Sequence, residues 1–231
     1  MDYSEINEMK TKELHELMDD LGLKHRRKKS DMMIDILEEK DKRYVRGKQL
    51  GEKGKDAITY EVKVNGKKYA LKQYKPRKSG SKIIQEAEMQ KDLACEGICP
   101  KIIDVDTERK YIVMEKLDKH LVDITREKSI SQKHQKQLMK IYKKMDEIGV
   151  FHGDANPLNY MTKGQKLYVI DFGMSKPITK SLCKKLGTEY PNSDIMTLGM
   201  ILKFKSMNYP PDSYDVLIDS LSDEQREKFD L

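Results

Sequence analysis

Apolar positions along the chain recur with two different periods, and the change of period divides it. Leu14, Leu17, Met18 and Leu21 fall at i, i+3, i+4 and i+7, which predicts a helix with one buried face. Gly22 supplies a left-handed stop, and the polar run Lys24-His25-Arg26-Arg27-Lys28-Lys29 follows. Ser30 is placed to cap a second helix, whose buried face is Met33, Ile34 and Leu37. From Tyr44 the period shortens to two. Ala57–Val64 alternates and is rich in β-branched residues, Asn65-Gly66 predicts a tight hairpin, and Lys67–Gln73 returns as the next strand. A helix is expected at 82–93 and a buried strand at Tyr111-Ile112-Val113-Met114. Leu138, Ile141, Tyr142, Met145 and Ile148 mark a long amphipathic helix, with Ser129 and Gln132 spaced as a capping box. Further helices are expected at 194–207 and 222–230, the second opened by Ser222-x-x-Gln225. The order predicts an α+β protein: a small helical module, a strand-rich lobe, then a mainly helical lobe.

Composition narrows the class. Of the 231 residues, 37% are hydrophobic and 36% charged, enough for a core beneath a heavily charged surface. No run approaches the roughly 18 apolar residues of a membrane span, and the first residues lack a signal-peptide pattern, so a soluble intracellular protein, cytoplasmic or nuclear, is expected. Cys95, Cys99 and Cys183 are odd in number and have no histidines at zinc-ligand spacing, which reads as reduced thiols. The net charge of +6 is uneven. Residues 1–43 hold 10 basic and 12 acidic side chains, leaving a net +8 on the remainder, which suits anionic partners.

The chemistry concentrates in His152-Gly153-Asp154-Ala155-Asn156-Pro157-Leu158-Asn159 and, twelve residues after Asn159, Asp171-Phe172-Gly173. These resemble the catalytic loop and the Asp-Phe-Gly motif of the protein-kinase superfamily. The resemblance implies a bilobal fold, ATP and Mg²⁺ as cofactors, Asp154 as the group that orients an acceptor hydroxyl and takes its proton, and Asn159 and Asp171 as magnesium ligands. Upstream, Tyr69-Ala70-Leu71-Lys72 is similar to the strand whose lysine reaches the phosphates, with Ala70 beside the nucleotide. Glu86 is the expected partner of Lys72; Glu88 lies about 200° further around the helix. Leu50-Gly51-Glu52-Lys53-Gly54 stands where kinases carry a glycine-rich loop, with altered spacing, and it is not a Walker A loop. Met114 matches the gatekeeper, and the Glu115 and Leu117 backbones match the hinge that bonds adenine. Ser193-Asp194 resembles the start of the central helix of the helical lobe, where Asp194 would brace the backbone at His152 and Gly153. The resemblance spans about residues 44–207.

The departures shape the expected activity. Position 153 is Gly where most kinases have Arg, which argues against switching by a phosphorylated activation loop. His-Gly-Asp is also similar to aminoglycoside phosphotransferases and to the small kinase of the tRNA-modifying KEOPS complex. Asn156 replaces the usual catalytic-loop lysine, with Lys75, Lys176 or Lys180 as possible substitutes. Gly187-Thr188-Glu189-Tyr190 resembles a Ser/Thr-kinase segment, yet Ala-Pro-Glu is absent and only 24 residues follow Met207. The expected reaction is transfer of the ATP γ-phosphate to a protein Ser or Thr by a reduced kinase. The alternatives are a weakly active kinase-like scaffold and an ATPase-like accessory subunit. Residues 9–39 resemble a SAP-type module, whose Lys24–Lys29 cluster would contact DNA phosphates; the other reading is a helical hairpin that packs on its neighbours. A SAP-like module fused to a small kinase is similar to an arrangement in large DNA viruses.

Overall fold

A computed structural model describes residues 3–40, 44–125 and 129–231. Contacts divide the chain into two units, residues 1–87 with 102–116, and residues 88–101 with 117–231.

The first unit begins with three short helices, α1 (Tyr3–Glu8), α2 (Thr11–Asp20) and α3 (Lys29–Lys40). Two were expected; α1 is additional, and it brings Ile6 into a core with Leu14, Met18, Met32, Met33, Ile36 and Leu37. Gly22 stops α2 at φ +67°, as its position predicted. The start of α3 differs. The Lys28 carbonyl accepts the first helical bonds, from Asp31 and Met32 at 3.0 and 3.1 Å, so Ser30 lies inside the first turn and does not cap it.

Five antiparallel strands follow in the sheet order β1-β2-β3-β5-β4: β1 (Arg46–Leu50), β2 (Ala57–Val64), β3 (Lys67–Tyr74), β4 (Ile102–Asp106) and β5 (Tyr111–Glu115). Asn65 and Gly66 both have positive φ, +49° and +78°, the geometry of a tight hairpin whose twist matches its strands. One sheet face packs Tyr74 and Ile112 against Ile83 and Ala87 of α4 (Gly80–Cys95), whose residues to Ala87 belong to this unit. The other face clusters Val62, Leu71, Tyr111 and Val113, with Tyr44 edge-on to Tyr111.

Arg46, at the start of β1, ties the helices to the sheet. Its guanidinium pairs with Glu38 and reaches Asp35 at 2.6 Å, its N–H donates to Glu38 at 2.7 Å, and it lies 4.8 Å over the Tyr60 ring. Asp35 also accepts from Arg26 at 2.6 Å.

The second unit is built around α6 (Gln132–Ile148), preceded by β6 (Lys119–His120) and α5 (Leu121–Ile124). The predicted stripe of α6 is buried: Leu138, Ile141, Tyr142 and Met145 are at most 2% exposed. Its cap is Ser131, which accepts from the His134 N–H at 3.3 Å; Gln132 is already helical, so the expected Ser129–Gln132 box does not form. Two small sheets carry the motifs. One pairs β7 (Val150–Phe151) with β10 (Lys176–Pro177), and the other orders β6, β8 (Tyr160–Lys163) and β9 (Lys166–Val169). After α7 (Lys180–Leu186), a wide π-type turn at Asn192–Met196 leads into α8 (Thr197–Ser206), so the helix expected at 194–207 has two parts. Then come α9 (Asp215–Asp219) and α10 (Asp223–Lys228), the latter opened by the predicted Ser222–Gln225 capping box. Among the described residues no helix is long and apolar enough to cross a membrane. All three cysteines are free, and burial raises the Cys99 thiol pKa, which disfavours its reactive thiolate.

Candidate active-site constellations

In the sheet-rich unit, strand alternation sets the positions. Lys72 lies mid-β3, opposite Thr59 of β2 and Ile112 of β5. Its Nζ reaches Glu86 Oε1 at 2.6 Å, and the Glu86 side chain is only 3% exposed. Glu88, on another face of the helix, is exposed. Lys78 was not anticipated. Its Nζ is 3.4 Å from Glu86 Oε2, and Lys72 and Lys78 stand 5.3 and 5.5 Å from the Tyr74 ring centre. Glu86 thus receives two lysines, one on each oxygen. Ala70, 9% exposed, sits two residues before Lys72 opposite Glu61 and Met114.

Gly51 and Gly54 lie in the β1–β2 connection. Gly51 has φ +68°, and a Cβ on Gly54 would stand 3.0 Å from the Ala57 carbonyl oxygen, so the turn requires its glycines. Lys75 Nζ donates to the Gly54 and Lys55 carbonyls at 2.8 and 2.7 Å, and Arg77 donates to Lys55 and Asp56 at 2.6 Å each. Lys75 therefore braces the glycine loop. Lys176 and Lys180, the other two possible substitutes for a catalytic-loop lysine, are exposed. Glu115 ends β5 opposite Tyr69.

In the helical unit, Asn159 Nδ2 donates to Asp154 Oδ2 at 2.9 Å and to the Asp154 carbonyl at 3.3 Å. That bond fixes which way the amide faces: its nitrogen is spent on Asp154, and its oxygen is the remaining ligand. Asn156 begins the short turn at Pro157–Asn159 by accepting from the Leu158 N–H at 3.1 Å, a capping role in place of the usual lysine. Ile170 N donates to the Asn159 carbonyl at 2.8 Å, which holds the strand before Asp171 against the loop. Asp171 is exposed and adopts a left-handed backbone (φ 65°, ψ 72°), while Phe172 beside it is buried. Left-handed geometry at a non-glycine residue is strained and concentrates at functional sites. Leu117 is 5% exposed.

Gly153 has φ +78°, and a Cβ there would lie 3.1 Å from the Met174 carbonyl oxygen. Any side chain at this position would be strained whatever it reached. His152 is fully buried, stacks at a tilt on Phe172 and bonds the Ile170 carbonyl through Nε2 at 3.0 Å. Since a carbonyl only accepts, Nε2 carries the proton of that bond. Burial lowers the His152 pKa below 6.5, against the raising influences of the Ile170 carbonyl, Asp154 and Asp171. The unfolded chain therefore binds the extra proton first. Stability of this unit is expected to be complete above about pH 6.5 and to fall at lower pH, by up to about 1.4 kcal/mol per pH unit. His134, lowered by burial and by Lys133, contributes with the same sign. Urea titrations at pH 7.5 and 5.5 measure the effect, and His152→Gln should flatten it.

The expected role of Asp194 is filled by another residue. Asn192 is fully buried; its Oδ1 accepts from the His152 N–H at 3.0 Å, and its Nδ2 donates to Val150 O and Asp146 Oδ1 at 2.8 Å each. Asp146 of α6 also accepts from the Asn192 and Ser193 N–H groups at 2.9 and 2.8 Å. Asp194, two residues further round the turn, bonds the Thr188 hydroxyl instead. Asn192 adjoins the Ser193-Asp194 motif, so the right segment was identified with the wrong side chain.

Among the described residues no cluster of three or more His, Cys, Asp or Glu gathers. Two oxygen donors, Asn159 and Asp171, fit Mg²⁺, which uses few protein ligands and completes its shell with phosphate and water; they do not fit zinc.

Residues 44–194 match the protein kinase domain family. A probable bifunctional tRNA threonylcarbamoyladenosine biosynthesis protein of Methanobrevibacter smithii is 32% identical over 103 residues, covering 44% of this chain and 18% of the relative. A probable serine/threonine-protein kinase BUD32 homolog of Archaeoglobus fulgidus is 29% identical over 76 residues, covering 33% and 37%. The chain thus spans well under half the length of either relative.

Proposed function

Because the chain belongs to the protein kinase family, we propose that it transfers the γ-phosphate of ATP to a serine or threonine hydroxyl of a protein. The observation that carries this reading is the Asp154–Asn159 pair, an acid and an amide locked at 2.9 Å on a loop tied to the strand before Asp171. Lys72, oriented by Glu86, holds the α- and β-phosphates. Gly51 and Gly54 cover the phosphates, Ala70 packs on the base, and the Glu115 and Leu117 backbones bond its edge. Asn159 and Asp171 would hold Mg²⁺, which would supply charge neutralisation at the phosphates. Asp154 orients the acceptor hydroxyl and accepts its proton. Positioning and charge compensation suffice for this chemistry.

A second reading is ATP hydrolysis by an accessory subunit of a larger assembly. It draws on Asn156 in place of lysine, on the commitment of Lys75 to the glycine loop, and on the relative named for tRNA threonylcarbamoyladenosine biosynthesis. Incubation with γ-labelled ATP and Mg²⁺, with generic acidic and basic proteins as acceptors, separates the two. Label on Ser or Thr that disappears in Asp171→Asn is expected. Free phosphate alone, also lost in that variant, selects the accessory reading, and no turnover by either route overturns both.

A further inference from the structure

The stretch between β3 and α4 carries a lysine that none of the kinase motifs accounts for. Lys78 stands just before Ser79, whose carbonyl accepts from the Ile83 N–H of α4 at 3.2 Å and whose hydroxyl accepts from the Lys82 N–H at 3.4 Å. A turn holds Lys78 itself, its N–H donating to the Lys75 carbonyl at 3.0 Å. Lys75 and Arg77 bond the backbone carbonyls of Gly54 and Lys55, so the stretch is also anchored to the β1–β2 connection. Lysine is seldom buried unless it is paired, yet the Lys78 side chain is only 9% exposed. Its ammonium turns inward, 3.4 Å from Glu86 Oε2 and 5.5 Å from the Tyr74 ring centre.

That oxygen is where compensation is required. Glu86 Oε2 is buried and takes no hydrogen bond among the described residues, while Oε1 engages Lys72 at 2.6 Å. A buried carboxylate is costly unless a nearby cation offsets its charge. With Lys78 on the second oxygen, that offset does not depend on Lys72 alone. Both ammoniums lie against the Tyr74 ring, a favourable surface for cations. The consequence falls on Lys72. A carboxylate facing one lysine competes hard with any other anion for it, and a second lysine on the same carboxylate weakens that hold by like-charge repulsion. We infer that Lys78 is a positioning residue for the nucleotide: it keeps Glu86 in place and lets phosphate share the Lys72 ammonium. This role rests on the reading of Lys72 as the lysine that meets the phosphates of ATP. It is carried by a side chain from an irregular stretch, outside every motif that the resemblance supplies.

Calorimetric titration of the full chain with ATP and Mg²⁺, and separately with adenosine, tests the inference. Lys78→Met should weaken ATP binding by about tenfold, a size usual for coupling within one salt-bridge network. Adenosine binding should change by less than about twofold, because adenosine carries no phosphate. In a Glu86→Gln background the same change should alter ATP binding by less than about twofold, since the carboxylate that couples the two lysines is gone. Lys78→Gln keeps a donor toward Glu86 without the charge. It is expected to behave like Lys78→Met, and it takes its place if the methionine variant loses a cooperative melting transition. Unaltered ATP affinity in these variants overturns the inference. So does a parallel loss of ATP and adenosine binding, or loss of the melting transition in both variants, either of which marks a merely structural lysine. A loss of about tenfold that persists beside Glu86→Gln also overturns it, by placing Lys78 on the phosphates directly. No ATP binding by the native chain overturns the nucleotide reading and this role with it, whereas the other failures leave that reading intact.

Discussion

Asp154→Asn is expected to lower turnover by about 10²–10⁴, the range over which a positioned base contributes, while ATP affinity changes little. The substitution keeps the shape of the side chain. A flipped amide at 154 still presents an oxygen to Asn159 Nδ2, so the loop held by that 2.9 Å bond persists. What disappears is the capacity to accept a proton from the attacking hydroxyl. Rate measured at saturating ATP, with nucleotide affinity determined separately, isolates this loss. A variant turning over within about threefold of the native chain would remove Asp154 from the chemistry and leave it a loop-shaping residue.

Asn192→Leu is expected to destabilise the helical unit by about 2–4 kcal/mol. Two polar groups lose their partner at once, the His152 N–H and the Val150 carbonyl, whereas Asp146 keeps the backbone N–H groups of residues 192 and 193. Each buried group left without a bond costs about 1–3 kcal/mol, and the leucine recovers part of that by its own apolar burial. Turnover should fall with stability, because the same bonds place the backbone that leads into Asp154. Urea unfolding measures the first effect. A loss below about 1 kcal/mol would show that water or a rotated Ser193 takes over the bonds, and that Asn192 is not the brace.

Motif residues whose role depends on regular spacing were legible in the sequence. Lys72 and Glu86 could be paired because each stands in a recognisable kinase motif and helical phase lets only one of Glu86 and Glu88 face the lysine, and the hairpin at Asn65-Gly66 needed backbone angles that few residue pairs tolerate. The buried stripe of α6 was legible for the same reason. Contacts made where regular geometry breaks were not. The π-type turn at Asn192–Met196 alters the helical phase, so a register drawn through Asp194 passes Asn192 by. Lys78 precedes α4 in an irregular stretch, and nothing periodic ties it to Glu86. The helix caps slipped by two residues at Ser30 and Ser129, since several neighbouring polar residues could serve and only backbone geometry decides. Among its described side chains helix α1 carries one buried apolar residue, Ile6, too few to announce a period.

Arg46 links parts of the chain that sequence divergence would otherwise treat separately. Its guanidinium is shared by Asp35 and Glu38, one turn apart on α3; loss of Arg46 strands Glu38 at a half-buried seam, while Asp35 keeps Arg26. Positions 38 and 46 should therefore covary among relatives that carry the helical extension. Where the helices are missing, residue 46 should be free to become uncharged.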